Sequence, residues 1–137
     1  MINFFFEDIE EFNIEHLNIE ANIEKLVINE NRTLGDVNYI LCSDSYLLEI
    51  NKQYLNHDYY TDVISFDYCE ENVISGDIFI SVDTVGDNAK EYNTTFEEEL
   101  ERVMVHGVLH FVGYNDKADD EVKVMRQKEN QYLALFK

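Results

Sequence analysis

The 137-residue chain contains no proline, no tryptophan and only five glycines. Because it has no proline- or glycine-rich linker, the sequence predicts a single domain that covers residues 1–137. No segment approaches the roughly 18 consecutive apolar residues needed to span a bilayer. The N-terminus also lacks the basic and apolar regions of a secretory signal. We therefore expect a cytoplasmic protein without a membrane partner.

Cysteines and basic residues are also scarce. Cys42 and Cys69 form no Cys-x-x-Cys pair, which disfavours a thiolate-rich metal site and is compatible with a reducing compartment. Ten Lys and Arg residues stand against 29 Asp and Glu, so the formal net charge is −19. Such a charge opposes contact with nucleic-acid phosphates. Basic residues are nevertheless found in the C-terminal part: Arg102, Lys117, Lys123, Arg126 and Lys128.

Residues 106–116 read HGVLHFVGYND and can place three metal ligands around one point. His106 and His110 are four residues apart, so their imidazoles lie on the same face of a helix. Gly113 can adopt the left-handed conformation that ends a helix, which would turn Asp116 back toward the two histidines. Two imidazoles and one carboxylate, with an open fourth position, are typical of a catalytic zinc site.

For an isolated His-x-x-x-His pair, the simpler interpretation is that both histidines only fill space in a packed helix. Apolar residues cover nearly the whole circumference of this predicted helix, and an unpaired polar group buried there costs about 1 to 3 kcal/mol. A shared metal ion accounts for both imidazoles. Gly107 stands where metalloproteases with the His-Glu-x-x-His pattern have glutamate, which disfavours peptide hydrolysis. The general base and the nucleophile stay unassigned.

The order of the predicted elements indicates an α+β domain with one small mixed β-sheet and packed helices, in which the helix of the 106–116 motif is the central metal-binding helix. Thr95 and Glu98 match a capping box, so the motif helix should begin near Phe96. The sequence does not decide which strands are parallel. Strands are expected at 2–6, 37–41, 63–68 and 73–82, the last two paired through the acidic loop 69–72. The other helices are expected at 14–29, 46–54, 84–92 and 119–135.

The motif resembles that of the YbeY-type endoribonucleases, also called rRNA maturation factors. The family pattern HGxLHxxGYDH corresponds here to HGVLHFVGYND. Asn51, Tyr54, Asp58 and the TDVISF segment at 61–66 resemble the family's Asn-x-x-Tyr, Asp and TDVLSF segment. GDIFIS at 76–81 resembles its GDIxIS strand. The three blocks follow the family order, so the resemblance covers the whole chain and implies the same α+β class.

Two departures from the family pattern bear on the site. Asp116 takes the place of the third metal-binding histidine, and its carboxylate remains a competent zinc ligand. Leu55 stands where the family generally has an arginine, which would be expected to face a phosphate. The candidates for lining the substrate cleft are Ser65, Asp77 and Arg102.

The resemblance implies a zinc-dependent, single-strand-type endoribonuclease with one ion held by His106, His110 and Asp116. It further implies maturation of the 3′ end of small-subunit rRNA and ribosome quality control. The expected partners are rRNA and the ribosomal subunit, with a ribosomal protein as one route of contact; no DNA is expected. The alternatives are a ribosome-associated binding module, in which the metal only stabilises the fold, and a metal-dependent hydrolase of small molecules.

Overall fold

The computed structural model describes residues 1–55 and 63–137. The expectations for Asp58 and for the predicted turn at 60–62, with Thr61 and Asp62, lie outside those residues. The strands are β1 (Ile2–Glu7), β2 (Thr33–Cys42), β3 (Val63–Asp67) and β4 (Val73–Ser81). The helices are α1 (Ile19–Asn29), α2 (Asp44–Leu55), α3 (Val82–Glu91), α4 (Phe96–Val112) and α5 (Asp119–Leu135).

The described strands form one four-stranded sheet in the order β1-β2-β4-β3. β1, β2 and β4 run parallel, whereas β3 runs antiparallel to β4. The β3–β4 pair is the predicted hairpin around residues 69–72. α1 provides the crossover that the parallel pair β1–β2 needs. The predicted class, α+β with a single small mixed sheet and packed helices, is confirmed.

The first helix begins later than its hydrophobic pattern predicts. Apolar spacing favoured one helix over 14–29, but the chain forms a 3₁₀ turn at Glu15–Leu17 and α1 begins at Ile19. Asn18 lies between them with a φ of 53°. Asparagine tolerates this left-handed conformation, which a right-handed helix cannot contain. The chain therefore changes direction at Asn18 before α1 starts.

Helices cover both faces of the sheet. The larger core lies on the side of α1, α3 and α4. α2 covers the other face over a smaller cluster that contains Cys42, Leu47 and Ile64. α5 packs chiefly on α4, so α4 lies between α5 and the strands. None of the helices within 1–55 and 63–137 is long and apolar enough to cross a membrane.

Two glycines allow α4 and the sheet to approach closely. A Cβ atom at Gly107 would lie 2.8 Å from Cδ1 of Ile78 on β4. A Cβ atom at Gly76 would lie 2.5 Å from Cζ of Phe111 on α4, and it would also meet the backbone carbonyl of Phe66. Position 107 therefore faces the sheet, and glycine there serves close packing.

Gly76→Ala should destabilise the protein by about 1 to 3 kcal/mol, because the added methyl group overpacks the contact between β4 and Phe111. Gly86→Ala is the matched control, since a Cβ at this α3 position meets nothing within 4 Å. Alanine there should stabilise the helix by roughly 0.5 to 1 kcal/mol. Urea unfolding followed by circular dichroism measures both changes. Equal stability of the two variants would contradict this account of the α4–sheet contact.

Candidate metal centre

α4 is buried on nearly all sides, as its composition predicts. From Glu99 to Val112, the only residues that are not buried are Glu101, Arg102, His106 and His110. Arg102, His106 and His110 are four residues apart and form one polar stripe along the helix. At the N-terminus, Thr95 Oγ1 accepts a hydrogen bond from the Glu98 amide at 3.1 Å and donates to the Glu98 carboxylate at 3.2 Å. The helix therefore begins at Phe96, as predicted.

The loop after α4 brings Asp116 back to the two histidines. Gly113 has a φ of 121°, and its amide donates to the carbonyl groups of Leu109 and His110 at 3.1 Å. This conformation favours glycine and ends the helix where the sequence predicted. His106 Nε2 lies 3.0 Å from His110 Nε2 and 3.1 Å from Asp116 Oδ2. The third side of the triangle, from His110 Nε2 to Asp116 Oδ2, is 3.3 Å.

This triangle fits a small divalent cation. A tetrahedral site with ligand bonds of about 2.0 to 2.1 Å has ligands about 3.3 Å apart. His106 Nδ1 lies 2.7 Å from Glu129 Oε2. Because a carboxylate only accepts, the proton of a neutral His106 lies on Nδ1, and Nε2 is then an acceptor. Two acceptors, His106 Nε2 and Asp116 Oδ2, thus face each other at 3.1 Å. A metal cation between them, or a proton on Nε2, removes their repulsion.

The triad lies in an open cleft of about 550 Å³. Alternate residues of β3 form the opposite wall, because side chains of a strand point to opposite faces in turn. The residues that line the cleft are Val63, Ser65, Asp67, His106, His110, Phe111 and Asp116. Ser65 is therefore among the residues that line the cleft. Asp67 was missed by the sequence analysis, although its spacing of two from Ser65 placed it on the same face.

Asp77 is not in the cleft. Gly76 and Ile78, its neighbours on β4, face α4, so the side chain of Asp77 points to the other face of the sheet. There its Oδ1 accepts a hydrogen bond from Asn38 Nδ2 at 2.9 Å, and Asn38 in turn accepts one from Asn3. Asp77 therefore does not line the cleft as expected, because the pleat of β4 turns its side chain to the other face of the sheet.

Arg102 lies beside the histidines but is engaged by other side chains. Its Nη1 donates to Glu129 Oε1 at 2.8 Å, and its Nη2 donates to Asn130 Oδ1 at 2.9 Å. Arg102 lines the hollow next to the triad, which shares Val63 and His106 with the cleft, and a second hollow between α4 and α5. The family's arginine position is Leu55, whose side chain lies outside the described part of the structure.

Glu129 is the second residue that the sequence analysis missed. It is 5% exposed and stands on the buried side of α5 with Met125 and Tyr132. A glutamate on the apolar face of a predicted helix was the available signal. Burial would raise the pKa of Glu129, but hydrogen bonds from His106 and Arg102, together with nearby positive charge, outweigh it and lower the pKa.

A separate polar cluster anchors the loop that carries Asp116. Tyr114 donates to Glu30 Oε1 at 2.8 Å, and Tyr132 donates to Glu30 Oε2. Lys128 Nζ lies 3.6 Å from Glu30 Oε2 and 5.5 Å from the centre of the Tyr114 ring. Burial would raise the pKa of Glu30, but the two hydroxyl groups and Lys128 outweigh it and lower the pKa. The cluster joins the C-terminus of α1, the loop and α5.

Glu30→Gln should reduce the free energy of unfolding by on the order of 1 to 2 kcal/mol at pH 7, because it removes a charge that receives hydrogen bonds. A lowered pKa contributes stability above the ordinary carboxyl pKa, and this contribution is lost as the pH falls through the lowered value. The difference from wild type should therefore shrink below about pH 4.3. Urea unfolding at several pH values measures it.

The control for this experiment is Glu24→Gln, which changes an exposed carboxylate on α1, the helix that ends just before Glu30. It should alter stability by less than about 0.5 kcal/mol. A Glu30→Gln difference that stays constant from pH 3 to 7 would contradict the charge-based explanation.

The fold and the cluster together define a class of protein: an α+β domain with an open site of two histidines and one carboxylate that can hold a metal ion. The chain belongs to the endoribonuclease YbeY family, because the family model described as "Endoribonuclease YbeY" matches residues 5–137. This is a family of nucleases.

Relatives that align with most of this chain support its assignment to the family. The Endoribonuclease YbeY of Flavobacterium johnsoniae is 49% identical over 137 residues, which is 99% of this chain and 97% of the relative. That of Bacteroides fragilis is 50% identical over 115 residues, or 84% of this chain and 83% of the relative. The solution structure of a Thermotoga maritima protein matches with a TM-score of 0.70 and 34% identity, covering 99% of this chain and 89% of the other.

Proposed function

We propose that the protein is a zinc-dependent endoribonuclease that cleaves single-stranded segments of rRNA, with the ion held by His106, His110 and Asp116. The observation that carries the proposal is the triangle of three ligand atoms, 3.0 to 3.3 Å apart, in an open cleft. Membership of the endoribonuclease YbeY family supports RNA as the substrate. Two imidazoles and a carboxylate leave a fourth position open, which favours a catalytic ion.

The residues of the cleft have complementary roles. When bound, the ion supplies Lewis-acid polarisation of a phosphoryl oxygen and lowers the pKa of a water molecule. The Ser65 hydroxyl can donate a hydrogen bond to a phosphate oxygen or a ribose hydroxyl. Val63 forms the partly exposed apolar part of the wall, where an unstacked base can lie, whereas Phe111 is buried. A strand of unpaired RNA fits such an open cleft better than a duplex does.

Asp67 is our candidate for the proton acceptor of the reaction. It lines the same cleft as the triad, on β3, opposite α4. Its Oδ1 accepts the backbone amide of Cys69 at 2.8 Å, which holds the carboxylate in place. A carboxylate at this position can take a proton from a water molecule or from a ribose 2′-hydroxyl. Gly107, by contrast, faces Ile78 and the sheet.

Asp67→Asn should lower kcat by about 10²- to 10⁴-fold, the usual contribution of a general base, while the zinc content stays that of wild type. Asp77→Asn is the matched control, because Asp77 lies on the neighbouring strand and on the other face of the sheet. The control should keep wild-type kcat. Undiminished cleavage by Asp67→Asn would remove Asp67 from the reaction, and loss of zinc would make it a ligand instead.

The proposed cellular role is maturation of the 3′ end of small-subunit rRNA and ribosome quality control. The net charge of −19 bears on the choice of partner. A basic ribosomal protein can approach this acidic surface and present the RNA, because complementary charge favours encounter. The free thiols of Cys42 and Cys69 support a cytoplasmic location for this work.

The first test is elemental analysis of protein purified without a histidine tag. Wild type should hold one zinc ion per chain, and His110→Ala and Asp116→Ala should both lose it, because each removes one of three ligands. Metal lost only from His110→Ala would remove Asp116 from the ligand set. No metal in wild type, even after reconstitution with zinc, would overturn the proposed zinc site.

The second test is single-turnover cleavage of single-stranded RNA by wild type and by His106→Ala. Wild type should cleave and the variant should not, whereas a contaminating nuclease would be unaffected by the substitution. Zinc binding without cleavage by wild type would favour the alternative, a ribosome-associated module in which the ion only stabilises the fold.

A further inference from the structure

Glu129 is a buried carboxylate with both of its oxygens engaged. Oε2 lies 2.7 Å from His106 Nδ1, and Oε1 lies 2.8 Å from Arg102 Nη1. The residue is 5% exposed and belongs to α5, a helix that carries none of the three candidate ligands. Arg126 Nη1 also lies 3.4 Å from Oε1, but its side chain is 55% exposed. The carboxylate therefore joins α5 to the polar stripe of α4.

Stability alone is a weak reason for this arrangement. Taking a carboxylate and a guanidinium out of water costs several kcal/mol per ion, and well-packed apolar residues often replace such pairs without loss of stability. The carboxylate does, however, impose a chemical state on His106. Because Glu129 can only accept, the proton of the neutral ring is held on Nδ1.

The other nitrogen of the same ring is the candidate ligand atom. With the proton on Nδ1, the lone pair of His106 Nε2 points toward His110 Nε2 at 3.0 Å and Asp116 Oδ2 at 3.1 Å. A hydrogen bond at one nitrogen thus fixes the tautomer and the ring orientation at the other. Without this hydrogen bond, the imidazole ring of His106 could rotate. It could also carry its proton on Nε2, and a protonated Nε2 cannot bind a metal ion.

Arg102 acts on this arrangement from the second oxygen. Its two nitrogens donate to Glu129 and Asn130, which are neighbours on α5. The guanidinium, one helical turn from His106 on α4, therefore balances the charge of the buried carboxylate.

We propose that Glu129 is a positioning residue that prepares His106 for metal binding, with Arg102 as the counter-charge of its buried carboxylate. The inference rests on the proposed zinc site. It assigns the α4–α5 contact a role in the chemistry of the cleft.

The test compares two double variants that differ only at position 129. Glu129→Met with Arg102→Met removes the acceptor and the buried charges together, so the fold is not left with an unpaired ion. Glu129→Gln with Arg102→Met also removes the charges but keeps an oxygen that can accept from His106 Nδ1. Urea unfolding checks that both are folded, and Arg126→Met controls for loss of the exposed arginine.

Two readouts are measured for each protein. In metal-free protein, ¹⁵N NMR of the imidazole should show His106 with its proton on Nδ1 in wild type and in the Gln variant, but not in the Met variant. In chelator competition, zinc affinity should fall by about 10- to 100-fold in the Met variant, the usual effect of losing such a partner. The Gln variant and Arg126→Met should stay close to wild type.

The outcomes separate this inference from the proposed function. If wild type binds zinc and the folded Met variant binds it equally well with an unchanged tautomer, the positioning role is wrong and the zinc site stands. If wild type binds no zinc, the proposed function fails, and an unchanged tautomer in the metal-free Met variant would overturn the positioning role as well. Equal loss of affinity in the Gln and Met variants would show that the acceptor is not what matters.

Discussion

The close contact between α4 and the sheet is the constraint on which the rest of the structure depends. Gly107 rests on Ile78, and Gly76 leaves room for Phe111, so the helix cannot rotate without a collision. Every other side of its C-terminal half is buried, apart from one polar stripe. Because the helix is fixed in rotation, His106 and His110 must point at one place, across from β3. The geometry of the site therefore depends on the packing of α4 against the sheet as much as on the candidate ligands themselves.

The sequence predicted what local rules determine. The capping pattern at Thr95, the spacing of the histidines and the helix-ending Gly113 each depend on residues a few positions apart, and each is found as predicted. The prediction that Asp77 lines the cleft was wrong because the face of the sheet to which a side chain points depends on the pleat of the strand. The apolar neighbours of Asp77 on β4 already indicated that face. Glu129 could not be connected to His106 by any local rule, since the two residues meet only through the docking of α5 on α4.

The negative net charge does not describe the charge of the cleft. Glu129 is matched by Arg102, and Asp116 is the one anion among the three candidate ligands. With a divalent cation in the proposed site, its two positive charges balance Asp116 and Asp67, the two carboxylates that line the cleft, so that phosphate is not repelled there. The surrounding acidic surface still repels RNA at longer range, although salt screens that repulsion beyond about 10 Å. An acidic protein can therefore accept RNA at one point and reject it elsewhere.

α5 contributes none of the candidate ligands, yet it supports two of them. Through Glu129 it holds His106, and through Lys128 and Tyr132 it supports Glu30, which in turn holds Tyr114 beside Asp116. Both supports require α5 to be docked on α4. A cation that binds only the assembled triad must then favour the docked helix, by the same free energy with which docking favours the cation. Metal binding and the packing of the last helix are thus one linked equilibrium.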